Sequence, residues 1–174
     1  MAIEIPKNLD ELPTTRPRYV GRGIRRVEDV GLLTGRVEFV DDVVLPRMLH
    51  CAILRSPFPH ARITGVDTQA AEALEGVAAV VTGEDARRWS LPAQSSPEGW
   101  GTHCIAGDKV HYVGEPVAAV AASSRRVAED ALELIEVDYE PLEPVADPFK
   151  AMKPESPQVL DAQETNVMLD RVFT

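Results

Sequence analysis

The fold of this chain is most clearly indicated by residues 109–139, KVHYVGEPVAAVAASSRRVAEDALELIEVDY. They predict a short strand, a turn at Gly114-Glu115-Pro116, a buried strand of small residues and then a helix. Either Ser123 or Ser124 can cap the helix, whose apolar positions recur at i, i+4 and i+7. A strand over 135–139 follows. This order of elements predicts a mixed α/β (α+β) domain.

The sequence before this stretch predicts shorter elements of the same kind. Residues 82–107 have no periodicity and several Pro and Gly residues, so they predict an irregular loop. The other predicted elements are a helical turn over 27–33, a strand over 36–42, a strand over 48–54 covered on both faces and ended by Pro57 and Pro59, a strand over 61–66, a short helix from Asp67 or Thr68 to Leu74 ended by Gly76, and a buried strand over 77–81.

Composition excludes several classes of protein. The chain has 174 residues, a net charge of −10 and a pI of about 4.8, so it repels nucleic acid and anionic lipid surfaces. Its start resembles no signal peptide, and no apolar run reaches the length of a membrane span, which predicts a cytoplasmic protein. Cys51 and Cys104 stand far apart, so a disulfide framework is not indicated.

Two short patterns were considered as ligand sites. Gly21-Arg22-Gly23 could begin a phosphate-binding turn, but Arg26 stands where the third glycine belongs and no good strand precedes it, which favours a plain turn. His103, Cys104 and His111 are metal-ligand types, with Asp108 and Glu115 nearby. They are interpreted as ordinary loop residues, because a structural zinc needs about four converging ligands. Two cysteines also cannot hold an iron–sulfur cluster.

Other reactive residue types form no recognisable constellation. No serine lies in a G-x-S-x-G elbow. Glu129-Asp130 is predicted on the solvent side of the helix and Asp41-Asp42 in a turn. A basic cluster near the start can bind an acidic protein surface or a phosphate, and an intersubunit or interdomain contact is the favoured use; the cluster contains Arg16, Arg18, Arg22, Arg25 and Arg26. The residues therefore predict no catalytic, cofactor-binding or metal-binding site.

Read in order, two long segments resemble the opening domain of the large subunit of the molybdenum hydroxylases, the family of xanthine dehydrogenase, aldehyde oxidase and carbon monoxide dehydrogenase. YVGRGIRRVEDVGLLTGRVEFVDDVVLPRMLHCAILRSPFPHARITGVDT is similar to the family's entry sequence, with its G-R-x-x-x-R-x-E-D run and R-S-P-x-x-H-A-R-I turn. DKVHYVGEPVAAVAASSRRVAEDALELIEVDYEPLEPVADP is similar to its Y-V-G-x-P-V-A-A-V, A-E-D-A and V-D-Y-E-P-L segments.

The resemblance implies an α/β hammerhead domain over 19–147. Residues 1–18 would be an extended arm, and 148–174 a Pro-rich linker or docking tail with one helical turn near 149–152. Arg55-Ser56-Pro57, Gly114-Glu115-Pro116 and the helix of Glu129-Asp130-Ala131 look like framework motifs. Gly114 would permit a backbone conformation unfavourable for other residues.

The resemblance also implies what the chain lacks. In the family, the residues that hold molybdopterin and the catalytic glutamate lie further along the large subunit, so no catalytic residue carries over and Glu115 is not that glutamate. Molybdopterin cytosine dinucleotide, iron–sulfur clusters and FAD are expected on partner chains. The expected partners are the remainder of the large subunit and the iron–sulfur and FAD subunits, with no nucleic acid and no membrane.

Two functions stay open at this stage. The chain is expected to be an inactive part of a molybdenum-dependent oxidoreductase that hydroxylates an aldehyde or N-heterocycle or oxidises carbon monoxide, as a split subunit or a fragment. The alternative is a stand-alone interaction or assembly module that keeps the hammerhead fold. An exposed apolar patch would favour a partner, and a polar surface would favour independence.

Overall fold

The computed structural model describes residues 26–171, which fall into two compact units divided between Leu45 and Pro46. In the first unit, helix α1 spans Asp29–Leu33 and a 3-10 turn spans Val40–Asp42. The predicted helical turn is confirmed, and the predicted strand over 36–42 is wrong. The Asp42 carboxylate accepts the Phe39 backbone N–H at 2.9 Å. An aspartate bonded in this way closes a turn and removes backbone groups from sheet pairing.

Over residues 46–171, the second unit holds two three-stranded sheets and four helices. Its strands are β1 (His50–Arg55), β2 (Ala61–Asp67), β3 (Val77–Thr82), β4 (Lys109–Val110), β5 (Pro116–Ala122) and β6 (Glu136–Pro141), and its helices are α2 (Gln69–Glu72), α3 (Gly83–Trp89), α4 (Arg125–Leu132) and α5 (Pro148–Ala151). One sheet has the order β1-β5-β3 and the other β4-β2-β6, with antiparallel pairing. The mixed fold class is confirmed.

Strand β5 forms the centre of the first sheet, and the prediction of a buried strand of small residues is confirmed. Ala118, Val120 and Ala122 are fully buried on one face, where Ala128 and Ala131 of α4 pack against them. The small side chains let the helix approach the sheet closely. The second core cluster lies under the other sheet and contains Ala61, Ala106, Val110 and Val117.

Strands β1 and β3 are the edges of the first sheet, so the prediction that both are buried is wrong. Cys51, Ile53 and Ala79 are exposed, although each strand packs its alternate residues toward α4. A continuous apolar sequence shows that both faces of a strand can be buried. It does not show whether the same chain buries the second face.

Helix α3 was not predicted. The backbone N–H and the hydroxyl of Thr82 both donate to the Asp85 carboxylate at 3.0 Å. These bonds, led by the backbone one, lower the pKa of Asp85. The Thr-x-x-Asp spacing is a helix-start signal, which the prediction of a loop from residue 82 onward missed. Within 90–107 the backbone is irregular, as predicted.

Most of the remaining predictions are confirmed. Strand β4 is two residues long, shorter than predicted, and Gly76 adopts a positive φ of 95° after α2. The helical turn predicted near 149–152 is α5, capped by Asp147. In the part of the chain that the structure describes, no helix has the length and apolarity that a membrane crossing requires.

Replacing Ser124 with alanine is expected to lower the free energy of unfolding by about 1 kcal/mol. The Ser124 hydroxyl oxygen accepts the Val127 backbone N–H at 3.2 Å, which satisfies one of the unpaired donors at the start of α4. Urea unfolding followed by circular dichroism measures the change. Ser123→Ala is the matched control, because the adjacent serine is exposed and does not cap; an equal loss in both variants would contradict the assignment of the cap.

Candidate functional site

The two framework motifs meet in space. The Arg55 guanidinium donates to the Gly114 carbonyl oxygen at 2.8 Å. The Ser56 backbone N–H donates to the Glu115 carbonyl, and the Gly114 N–H donates back to the Ser56 carbonyl. Gly114 adopts a φ of 90°, which side chains disfavour, so the expectation for this glycine is confirmed. The end of β1 and the start of β5 are thereby fixed to each other.

The turn after β1 uses its polar groups internally. The Ser56 hydroxyl donates to the Phe58 carbonyl and accepts the Phe58 N–H, both at 3.0 Å, and Ser56 is buried. The rings of Phe58 and Tyr139 lie with centroids 5.1 Å apart. Burial raises the pKa of Tyr139, against a smaller lowering by its hydrogen bond with Ser56. A buried serine engaged in a turn and a protonated tyrosine form a structural contact between the turn after β1 and strand β6.

A cleft of about 270 Å³ lies beside β4 and is lined by several ionisable groups. Lys109 lies in it almost fully buried, and its Nζ donates to the Asp161 carboxylate at 2.6 Å. Arg62 approaches the other oxygen of the same carboxylate at 3.8 Å. The Lys109 hydrogen bond holds the pKa of Asp161 below its usual range. Because Asp161 belongs to the C-terminal tail, this ion pair attaches the tail to the domain body.

Glu115 and His111 also line the cleft. Glu115 is 3% exposed, and its carboxylate accepts the His111 backbone N–H and lies 3.1 Å from the ring Nδ1. Both carboxylate oxygens are therefore occupied inside the turn that precedes β5. This contact makes Glu115 a turn-stabilising residue.

Four of the candidate metal ligands, His103, Asp108, His111 and Glu115, line the same cleft, but the two histidines are engaged with different partners. His103 contacts the Ser90 hydroxyl at 3.4 Å, while His111 contacts Glu115. The Cys104 side chain is exposed, and both cysteines are free thiols. Among residues 26–171, no three His, Cys, Asp or Glu side chains are arranged to hold a metal ion.

The charges of the cleft do not suit a phosphate-containing cofactor. Its acidic groups are Asp108, Glu115 and Asp161, and its permanent cations are Arg87 and Lys109, each already bound to one of these carboxylates. A molybdopterin dinucleotide carries phosphate groups, which such an acidic lining repels. A carboxylate with a lowered pKa is also a weak base. The residues that line this cleft therefore do not fit this cofactor.

The acidic pairs and part of the basic cluster also lie within the described residues. Glu129 and Asp130 are exposed on α4, and Asp41 and Asp42 lie in the 3-10 turn, both as predicted. Arg26 pairs with Asp29 at 3.4 Å. The Gly21-Arg22-Gly23 turn and the rest of the basic cluster, Arg16, Arg18, Arg22 and Arg25, lie outside the described residues.

The Lys109–Asp161 pair was missed by the sequence analysis. The two residues stand 52 positions apart, and Asp161 lies in a tail without periodicity. The signal available was a lysine next to buried Val110 in a strand, because a lysine in such a place needs an acidic partner. That signal does not say which of the 28 acidic residues the partner is.

Replacing Asp161 with alanine is expected to lower the free energy of unfolding by about 2 kcal/mol, because it leaves the buried Lys109 ammonium without its acceptor. Chemical denaturation at pH 7 measures the effect. The matched control is Glu84→Ala, which removes an exposed pair with Arg88 and is expected to cost at most about 0.5 kcal/mol. Equal effects of the two substitutions would show that burial of Lys109 does not matter.

The same ion pair predicts a dependence of stability on pH. Because the pKa of Asp161 is lower in the folded chain than the usual value of about 3.9, its contribution is complete above that value and is lost as the pH falls through the folded pKa. We expect the free energy of unfolding of the wild type to fall more steeply below about pH 5 than that of Asp161→Ala. Parallel slopes in unfolding curves between neutral and acidic pH would contradict this expectation.

Comparison with known proteins places this fold in a family. The family model described as "Aldehyde oxidase and xanthine dehydrogenase, a/b hammerhead domain" matches residues 34–143. The carbon monoxide dehydrogenase large chain of Afipia carboxidovorans is 46% identical over 133 residues, which are 76% of this chain and 16% of that protein. The nicotine 6-hydroxylase large subunit of Paenarthrobacter nicotinovorans is 42% identical over 146 residues, which are 81% of this chain and 18% of that protein.

Solved structures agree with the sequence relatives. Quinoline 2-oxidoreductase from Pseudomonas putida 86 superposes with a TM-score of 0.74 at 41% identity, covering 84% of this chain and 19% of that one. Aldehyde oxidoreductase from Desulfovibrio gigas gives 0.70 at 27% identity, covering 83% and 17%. This chain thus spans less than a fifth of the length of these relatives. It belongs to the aldehyde oxidase and xanthine dehydrogenase family of molybdenum hydroxylases, as a member of the α/β hammerhead domain class.

Proposed function

We propose that this chain is a non-catalytic hammerhead part of a molybdenum hydroxylase and is inactive alone. The observation that carries the proposal is the charge pairing in the cleft as the described residues form it, where Lys109 is bound to Asp161 and Glu115 to His111, so that its buried ionisable groups are engaged with each other. The short share of each relative that the chain covers supports the same view. The chemistry of the complete enzyme would be oxidative hydroxylation of an aldehyde or N-heterocycle, or oxidation of carbon monoxide.

The cofactors of the enzyme would be held by other polypeptide segments. One relative is called a large molybdopterin subunit and one solved relative a Cu,Mo-CO dehydrogenase. We propose that molybdopterin cytosine dinucleotide is bound by the remainder of the large subunit, and iron–sulfur clusters and FAD by separate subunits. When bound, the molybdenum centre would supply the oxidation; the residues of this chain would supply the framework on which the remainder packs.

We further propose the domain organisation expected from the sequence. Residues 19–147 would form the hammerhead domain and residues 148–174 a docking tail, while the arm expected over residues 1–18 lies outside the described residues. The ion pair between Lys109 and Asp161 and the bond from the Gln163 side chain to the Glu98 carbonyl support docking of the tail on the domain. A flexible linker would not hold Asp161 in place as the partner of the buried Lys109.

Purification of the tagged chain from its own host tests the proposed function. We expect a molybdopterin-binding chain to co-elute, with molybdenum, iron and flavin measurable in the same fraction. Mass spectrometry identifies the proteins, and elemental analysis with an absorption spectrum identifies the cofactors. A chain that elutes alone, free of metal and flavin, would contradict the enzyme-part proposal and favour the stand-alone interaction module.

A further inference from the structure

The first sheet has a second face that no other described element of the second unit covers completely. Strand pairing places Cys51, Ala121 and Ala79 in one row across β1, β5 and β3, and Ile53, Ala119 and Val81 in the next row. Residues paired in this way point to the same side of a sheet. We call these six residues the open face. Helix α4 packs on the opposite side, against the alternate residues of the same strands.

The chemistry of the open face is that of an interior surface. Its six side chains include no charged group and no strong hydrogen-bonding group, although Cys51, Ile53 and Ala79 are exposed. An antiparallel sheet with one face in water normally alternates apolar and polar residues. Strand β5, with the sequence PVAAVAA, does not alternate in this way. Val117, two residues before Ala119, is already fully buried in the second core cluster, so the open face continues a buried surface.

The size of the open face decides what kind of partner fits it. Three strands spaced about 4.8 Å apart, over about four residues each, present only about 200 Å². A stable complex between independent proteins needs about 800 Å² on each partner. The open face is therefore too small to hold a second copy by itself. A segment of the same large subunit can pack on so small an area, because contacts elsewhere in the large-subunit fold also hold that segment in place.

We propose that the open face is where the remainder of the large-subunit polypeptide packs. This inference rests on the proposed function. In the relatives, the region matched by this chain lies within polypeptides about five times longer. The rest of such a polypeptide is the partner that we propose for the open face. We expect the partner's surface to be apolar and to carry larger side chains. Four of the six residues of the open face are alanine or cysteine, so the open face itself is flat.

The two cysteines provide an internal test in the wild-type protein. Cys51 lies on the open face, while Cys104 lies in the irregular segment after α3, and both thiols are exposed. Maleimide is expected to label both in the purified chain. In the complex that co-elutes with the molybdopterin-binding chain, labelling of Cys51 is expected to slow by about tenfold or more, while that of Cys104 changes less. Peptide mass spectrometry measures the two sites separately.

A pair of lysine substitutions tests the same face by a second route. Ala79→Lys places a charge on the open face, and Ala70→Lys places one on an exposed position of α2. Ala79→Lys is expected to reduce the amount of co-eluting molybdopterin-binding chain by about tenfold, because an unpaired charge would be buried, whereas Ala70→Lys retains it. Equal melting temperatures of the two variants and the wild type confirm that neither substitution disrupts the fold.

The outcomes separate the two proposals. If the wild type captures the molybdopterin-binding chain but Cys51 remains reactive and Ala79→Lys captures as much, the open face is not the contact and only this inference fails. If the wild type captures no such chain, the proposed function fails and the inference with it. Concentration-dependent dimers of the purified chain with Cys51 protected would assign the face to a second copy and would also overturn the inference.

Discussion

Replacing Val120 with aspartate is expected to prevent the chain from folding. Val120 is fully buried in the central strand, between the neighbouring strands and α4, and its cluster is composed of apolar side chains. A carboxylate there would be buried without a partner, at a cost of about 4 kcal/mol or more. Domains of this size have about 5–15 kcal/mol of total stability. Circular dichroism and a thermal melt should show loss of the cooperative transition.

The control for this substitution lies in the same sheet. Ala79→Asp introduces the same group at an exposed position of β3, and we expect it to change stability by at most about 1 kcal/mol. The contrast tests the assignment of the two faces directly. A folded Val120→Asp variant, or an unfolded Ala79→Asp variant, would show that the faces have been assigned the wrong way round.

Replacing Gly83 with alanine is expected to lower the free energy of unfolding by about 3 kcal/mol, for a different reason. A Cβ atom at Gly83 would overlap the Ala106 carbonyl oxygen and would lie 2.6 Å from the carbonyl carbon of the same residue. The obstacle is backbone, so relief requires the segment before β4 to move away from α3. Urea denaturation measures the loss.

Gly114→Ala is the informative comparison. A Cβ atom there meets nothing within 4 Å, and the strain comes from the φ of 90° alone. We expect a cost of about 1–2 kcal/mol, smaller than that of Gly83→Ala. The reverse order would indicate that the 83–107 segment yields easily and that the turn before β5 is the stiffer part of the domain.

The elements with a clear period could be predicted from the sequence. The helix α4 shows an apolar stripe with a serine cap, and β5 shows a continuous apolar run bounded by a turn and a cap. Both signals are local, because they depend on residues within one or two turns of each other. The same holds for the Pro residues that end β1. The sequence signal for helix α3 is also local, since it consists of Thr82 and Asp85. It spans only four residues, however, and it lies among many loop-forming ones.

The family of this chain and the order of its main elements could be predicted from the sequence, because each motif is contiguous and its residue types and spacing are local. Three features could be found only in the three-dimensional structure: β1 and β3 are edges, one face of their sheet is open, and Lys109 contacts Asp161. These features depend on pairings between distant residues. Hydrophobicity is non-directional: an apolar strand favours burial without specifying which surface buries it. An ionic group likewise favours an opposite charge without specifying which one.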